Sequence, residues 1–196
     1  MTARAGLSTE RVVVAAAALA DEIGFDKVTA SAVARGFGVK DASLYSHVRN
    51  LQELRERIAV LAAEDLAERV GNALMGRAGL AALTAFTEAY RTFAREHPGR
   101  YQAIEVKLTP TRWAELGGRR RGADHTYALL RGYGLTESDR ATDAARFLLA
   151  TLHGYVNLER HGAFGAPRPM AASWPSALQA LHLALTNWPP AEEEEA

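Results

Sequence analysis

Between Thr29 and Asn50 the chain carries side chains suited to contact with a nucleic acid. Lys40, Asp41, Ala42, Ser43, Tyr45, Ser46 and His47 follow a tight turn at Gly36-Phe37-Gly38. Small and polar residues at a helix start can approach base edges in the major groove. Tyr45, His47 and Arg49 are long enough to reach phosphates, and a helix N-terminus offers free N–H groups to one. Two short helices are expected, Thr29 to Arg35 and Lys40 to Val48. Ala34, Val39, Leu44 and Val48 would lock them together, and Gly38 permits the backbone angles of the turn. This is helix-turn-helix spacing. A plain helical hairpin with a solvated face would use the same spacing.

Charge qualifies that reading. The 196 residues contain 23 Lys+Arg and 23 Asp+Glu, a formal net charge of zero, which speaks against a polyanionic partner. The sum hides an uneven distribution. Glu192 to Glu195 follow Pro189-Pro190 and read as a solvated tail; without those four glutamates the remainder is at +4. Lys27, Arg35, Lys40 and Arg49 face one acid, Asp41, so this segment is at +3 before His47 is counted. A second basic run, Arg119-Arg120-Arg121, reads as a solvated face.

Other chemistries find little support. With no cysteine, disulfides, CxxC zinc sites, thiol catalysis and thiol-based redox sensing are excluded. The sequence contains no P-loop, HExxH or GxSxG, and no GxGxxG that opens a helix; Gly117-Gly118 lacks the strand that a phosphate loop follows. His153 and His161 are two helical turns apart, too far for a metal pair at i, i+4. No enzyme activity, cofactor or metal is expected. No apolar run is long enough to span a membrane, and Val12 to Ala20 is closed by Asp21-Glu22 without a cleavage site, so a cytoplasmic location is expected.

The elements that must position these residues are all helical. Ser8 or Thr9 caps a first helix with Val12, Ala16, Leu19 and Ile23 on one face, stopped by Gly24. Thr29 caps the second. Asn50 and Glu53 form a capping box for a long helix carrying Leu51, Leu54, Ile58, Leu61 and Leu66, fading near Gly71 or Gly76. Leu80, Leu83, Phe86, Tyr90 and Phe93 mark a fifth helix closed by His97-Pro98-Gly99. Pro98 can open a sixth, covering Tyr101 to Lys107. Further helices are expected from Gly122 to Tyr133, from Ser138 or Asp139 to His161, and from after Ser173 to Trp188. No segment alternates as a strand would, so the fold class is all-α with about nine helices.

The words of the first motif are more specific than its spacing. Thr29-Ala-Ser-Ala-Val-Ala-Arg-Gly-Phe-Gly-Val-Lys-Asp-Ala-Ser-Leu-Tyr-Ser-His-Val48, followed by a capped long helix, resembles the DNA-binding domain of TetR/AcrR-family transcriptional regulators, over roughly residues 8 to 70. Gly38-Val39 and Leu44 to Val48 are the most specific part. Tyr90 to Tyr101 and Leu152 to Gly165 look like the C-terminal domain with a Trp/Leu-His-Gly motif found in a subgroup of that family. The resemblance implies a three-helix DNA-binding domain, taken as residues 1–49, and a helical effector-binding and dimerisation domain, 50–188; the charge run makes 189–196 an acidic disordered tail.

Carried over position by position, the resemblance puts base and nearby backbone contacts at Asp41, Ala42 and Ser43. It puts phosphate contacts at Tyr45 and His47, and Thr29 caps its helix at a phosphate. Lys40, Arg49 and Asn50 complete the DNA-facing set. The sequence departs from the pattern twice. Leu51 stands where many members carry a phosphate-binding lysine, with Arg49 beside it as a substitute. Ser31 stands where some members carry a base-reading arginine, so base preference is not inherited from any relative.

The C-terminal helices carry Phe86, Tyr90, Phe93, Tyr101, Trp113, Phe147 and Tyr155. Aromatics at helical spacing usually form plain core, and His153 suits a satisfied core or pocket histidine. An apolar cavity with a few polar groups is the expected effector site, and Phe86, Tyr90, Tyr101, Trp113, Leu148 and His153 are its candidate lining. The last two long helices are apolar over more than one stripe and need a second partner. Leu152, Tyr155, Val156, Leu178, Leu181 and Leu185 are the candidate dimer contacts, forming a four-helix bundle across a two-fold axis.

The function expected is a homodimeric, ligand-responsive regulator, a repressor released from a near-palindromic DNA operator by a small apolar or amphipathic effector. Two other classes fit the same helices. One is a DNA-binding regulator controlled by protein interaction, which a thermal-shift ligand screen would distinguish. The other is a small-molecule-binding protein or enzyme on the same scaffold, which turnover by the C-terminal part would reveal.

Overall fold

The computed structural model describes residues 7–119, 121–136 and 138–190. The acidic run from Glu192 to Glu195 lies outside them. Among the described residues there are nine α-helices and no strand. They are α1 (Thr9–Ile23), α2 (Ala30–Phe37), α3 (Leu51–Leu74), α4 (Gly79–Glu96), α5 (Pro98–Ala103), α6 (Pro110–Glu115), α7 (Arg121–Arg131), α8 (Ser138–Arg160) and α9 (Met170–Thr186). None is long and apolar enough to cross a membrane. The chain divides into two compact units that are discontinuous in sequence. One is Met1–Leu66 with Phe93–Arg120, and the other is Ala67–Thr92 with Arg121–Ala196.

In the first unit, α1 begins at Ser8, whose hydroxyl accepts the Arg11 N–H at 3.2 Å. Its buried face is Val12, Val13, Ala16, Ala17 and Ala20. The expected stripe is therefore displaced: Leu19 is only half-buried and Ile23 is exposed. The cause is the helix packed against it. α5 starts with its Gly99 backbone so close to α1 that a Cβ there would fall 2.0 Å from the Ala20 carbonyl oxygen. Only small side chains on α1 allow that approach. Asp21 completes the joint, accepting the Arg100 N–H at 2.8 Å and pairing with the His97 ring at 3.0 Å.

α5 opens with Pro98 as the sequence suggests, but it ends at Ala103 rather than running to Lys107. The sixth helix, α6, has no counterpart in the sequence reading; Thr109 caps it and Pro110 occupies its first turn. Trp113 on α6 lies against the Gly118 backbone, where a Cβ would sit 2.1 Å from its indole nitrogen. This contact accounts for a glycine at that position.

The second unit has a core built from Leu83 and Phe86 of α4, Leu129 and Leu130 of α7, Leu148, Leu152 and Val156 of α8, and Trp174, Leu178, Leu181 and Leu185 of α9. α9 starts at Met170, after Pro169, one turn earlier than expected. Pro175 lies inside it and withholds an N–H from the carbonyl one turn back. Five of the six candidate dimer contacts, Leu152, Val156, Leu178, Leu181 and Leu185, are buried within the single chain, so their apolar surface is already covered; Tyr155 is half-buried. The apolar side chains left open on these helices are Phe147, Leu149 and Leu158 on α8 and Leu183 on α9.

Gly99→Ala is expected to destabilise the protein by at least about 2 kcal/mol, because the opposing atoms are backbone and have no rotamer to yield. Urea unfolding measures this. A loss below about 0.5 kcal/mol would mean that the two backbones separate at little cost.

Candidate nucleic-acid interface

The DNA-facing set is exposed as a group, with one exception. Thr29, Ser31, Lys40, Asp41, Ala42, Ser43, Tyr45, Arg49 and Asn50 are exposed, and His47 is half-buried. Beneath them, Ala34, Leu44 and Val48 are buried and Val39 is half-buried, so the expected lock between the two elements is present. Thr29 accepts the Ala32 N–H at 3.2 Å and caps α2. Gly38 ends α2 in the left-handed region at φ 66°, ψ 31°, and the Val39 N–H then closes on the Ala34 carbonyl at 3.1 Å.

The second element of the motif is not the α-helix that the spacing suggests. It is a 3-10 turn, Asp41–Ser43, continued by hydrogen-bonded turns through His47. The Leu44 N–H reaches Asp41, and the His47 and Val48 N–H groups both reach the Leu44 carbonyl. One local side-chain bond, from Ser46, competes with the α-ladder for a carbonyl. Ser46 donates to the Ser43 carbonyl at 2.8 Å, and the Asp41 carboxylate accepts the Ser31 hydroxyl from α2. The far end is anchored by Thr9, whose hydroxyl donates to the His47 carbonyl at 2.9 Å. Thr9 was legible only as a possible cap; this long-range bond carries no sequence signal.

Arg49 and Asn50 have local duties. Asn50 accepts the Glu53 N–H at 2.8 Å, as a capping box requires. The returning arm differs: Glu53 accepts the Arg49 N–H at 3.0 Å, one residue earlier than the box predicts. The same carboxylate pairs with the Arg49 side chain at 2.9 Å and with Arg57 at 2.8 Å. Burial alone would push the Glu53 carboxyl up. The bonds from Arg49 and Arg57 outweigh it and hold the pKa at about 2. Arg49 therefore brings less net charge to a phosphate than its sequence position implies.

The six candidate effector residues do not fall in one unit. Tyr101 and Trp113 belong to the first; Phe86, Tyr90, Leu148 and His153 belong to the second. Within the second unit Phe86 and Leu148 are buried, Tyr90 and His153 are half-buried, and His153 bonds to Asn157 at 2.7 Å. The sequence reading missed the polar centre of this unit. Arg91 forms a two-pronged ion pair with Glu159, at 2.7 and 2.5 Å, and its guanidinium lies 5.0 Å from the Trp174 ring centroid. The Glu159 pairing raises the Arg91 pKa further. The Trp174 indole N–H donates to Glu88. Nothing in spacing joins residues this far apart, so the pairing was not legible. In the same unit Tyr133 and His182, far apart in sequence, share a bond of 2.9 Å, and burial pushes the tyrosine hydroxyl up.

A buried lock beneath an exposed polar turn, anchored at both ends, defines a helix-turn-helix protein. Comparisons narrow the class. Residues 12–58 match the description "Bacterial regulatory proteins, tetR family", and residues 83–181 match "Tetracyclin repressor-like, C-terminal domain". An uncharacterised HTH-type transcriptional regulator of Mycobacterium tuberculosis, Rv0681, is 35% identical over 159 residues, covering 81% of this chain and 72% of its own. A second, YobS of Bacillus subtilis, is 32% identical over 164 residues, covering 84% and 85%. The chain belongs to the TetR family and is a DNA-binding transcriptional regulator, not an enzyme. The fold is shared with a glutamine-to-alanine variant of TetR from Acinetobacter baumannii AYE in complex with minocycline (TM-score 0.65, 23% identity, 91% of this chain and 96% of that one). It is also shared with BioQ on its double-stranded DNA operator (TM-score 0.65, 20% identity, 92% and 99%).

A carboxyl whose native pKa lies below its unfolded value stabilises the fold above the unfolded value, and that contribution is lost as pH falls through the native one. Glu53 therefore contributes fully above about pH 5 and loses its contribution between about pH 4.5 and 2. Glu53→Gln should cost roughly 2–3 kcal/mol at pH 7 and remove that part of the acid-side slope in chemical unfolding. Parallel pH profiles for the two proteins would contradict this assignment.

Proposed function

We propose that this protein is a homodimeric repressor that leaves a near-palindromic operator when a small apolar or amphipathic effector binds its C-terminal helices. The observation that carries the reading is the exposed polar turn from Lys40 to His47, held over buried Leu44 and Val48. Thr29, Tyr45, His47 and Arg49 supply phosphate contacts, and Asp41, Ala42 and Ser43 approach base edges. A DNA partner also supports a cytoplasmic location. The DNA-binding domain is taken as residues 1–49 and the effector and dimerisation domain as 50–188.

Dimerisation is supported by the open apolar side chains of α8 and α9. Phe147 is 40% exposed, Leu158 43% and Leu183 52%. On α8, Phe147, Ala150, Thr151, Gly154 and Leu158 share one face; on α9, Ser176, Ala180 and Leu183 do. Small residues between the large ones allow helices to approach closely. Two such helices from each copy form a four-helix bundle, with Tyr155 at its margin. The two recognition turns then enter successive major grooves about 34–36 Å apart.

An effector is supported by the second unit, where Phe86 and Leu148 supply apolar surface and Tyr90 and His153 polar groups. Minocycline is bound by the Acinetobacter protein of the same fold. To release DNA the effector must favour the conformation whose recognition turns are wrongly spaced, and couplings of about 1–3 kcal/mol are typical.

The full-length protein should bind the DNA upstream of its own gene at least about 1,000-fold more tightly than a scrambled duplex at moderate salt, read by fluorescence anisotropy. Equal binding would remove the operator reading. Tyr45→Ala should weaken binding to both duplexes alike, by about 1 kcal/mol or more. Leu183→Glu should convert the dimer to monomer in sedimentation and abolish operator binding while the helical signal stays unchanged. A dimer that survives this change would place the interface elsewhere.

A further inference from the structure

We infer that Asp41, oriented by Ser31, reads the amino group of a cytosine in the operator's major groove. This rests on the DNA-binding assignment and adds a base to it. Asp41 is exposed at the start of the recognition turn, the end that meets base edges when such an element enters the groove. A carboxylate is an odd group for a surface that must approach phosphates, since it repels them. Its chemistry narrows what it can face. Ionised, it only accepts hydrogen bonds. One oxygen, Oδ2, takes the Ser31 hydroxyl from α2. The other, Oδ1, has no partner among the described residues.

In the major groove the exocyclic donors are adenine N6 and cytosine N4. Adenine sets its N7 acceptor beside N6, so a carboxylate that takes the N6 proton also meets a lone pair. Cytosine sets only a C–H beside N4. The structure thus favours cytosine. Ser31 is a positioning residue. Its donated proton fixes the carboxylate's direction, and its own hydroxyl is thereby withdrawn from base contact. Lys40, exposed and adjacent, offsets the carboxylate's charge and suits the O6 and N7 acceptors of guanine. A half-site with a G·C pair under this turn satisfies both side chains.

The test is selection of full-length protein on duplexes with randomised half-sites, run with wild type, Asp41→Asn, Ser31→Ala and Ser31→Thr. Wild type should enrich cytosine at one position in each half-site. Asp41→Asn should move that position toward adenine, whose N6 and N7 match a carboxamide, and weaken binding to the cytosine site by roughly 5- to 150-fold. Ser31→Ala should flatten the preference at that position with little change elsewhere, and Ser31→Thr should restore it. A merely structural Ser31 would change affinity at every sequence equally. If Asp41→Asn keeps the wild-type motif and tightens binding to all duplexes alike, Asp41 is a repulsive charge that reads no base, and the inference falls while the regulator reading stands. If wild type enriches no sequence, both fall.

Discussion

The recognition turn is held by a strut whose far end is a backbone-to-backbone contact. α1 is that strut. At its C-terminal end the Ala20 carbonyl lies against Gly99, and Asp21 binds the Arg100 N–H and the His97 ring. At its N-terminal end Thr9 holds the His47 carbonyl. Residues near position 99 therefore help to set where residues 41–47 sit, although more than fifty residues separate them in sequence. The alanines of α1 follow from this constraint. A leucine at position 16 or 20 would add apolar burial and forbid the approach that fixes the strut. The constraint also fits the glycine of His97-Pro98-Gly99, since the proline starts α5 and the glycine lets it dock.

Electrostatics at the interface are sparser than the sequence suggests. The local excess of base between Lys27 and Arg49 is real. Arg49, however, shares its charge with a buried carboxylate that stays ionised down to about pH 2. Leu51 contributes no cation. Asp41 adds an anion to the surface proposed to face DNA. With so few unopposed cations, a single copy has little non-specific attraction to offer. On the dimeric reading proposed above, affinity would depend on two turns acting together and on contacts that discriminate bases.

The sequence made the local architecture legible and left the long-range bonds dark. Ser8, Thr29, Asn50 and Pro98 cap or open helices where their chemistry says they should. Gly38 adopts the positive φ that its place in the turn demands. The errors have physical causes. The buried face of α1 departs from the Val12, Ala16, Leu19 and Ile23 spacing because the partner backbone at Gly99 selects for small side chains. The second element departs from an α-helix where the Ser46 hydroxyl takes the Ser43 carbonyl, a group that an α-ladder uses. Leucines on α8 and α9 looked available to a second copy because periodicity reports apolarity, not which neighbour covers it. The Arg91–Glu159–Trp174 centre was unreadable because no spacing rule joins residues on three helices.

The discontinuity of the two units bears on how such a protein can be recombined. α3 runs through the residue 66/67 division and α4 through the 92/93 division without a break in helix. Phe93, Ala94, Tyr101 and Ala103 are buried in the same unit as the recognition turn. A graft that moves only the first fifty or so residues onto another regulator leaves that core without its second wall. A functional exchange of DNA-reading heads must therefore carry two separate stretches of chain, or find a recipient whose counterpart of Gly99 fits the same alanines.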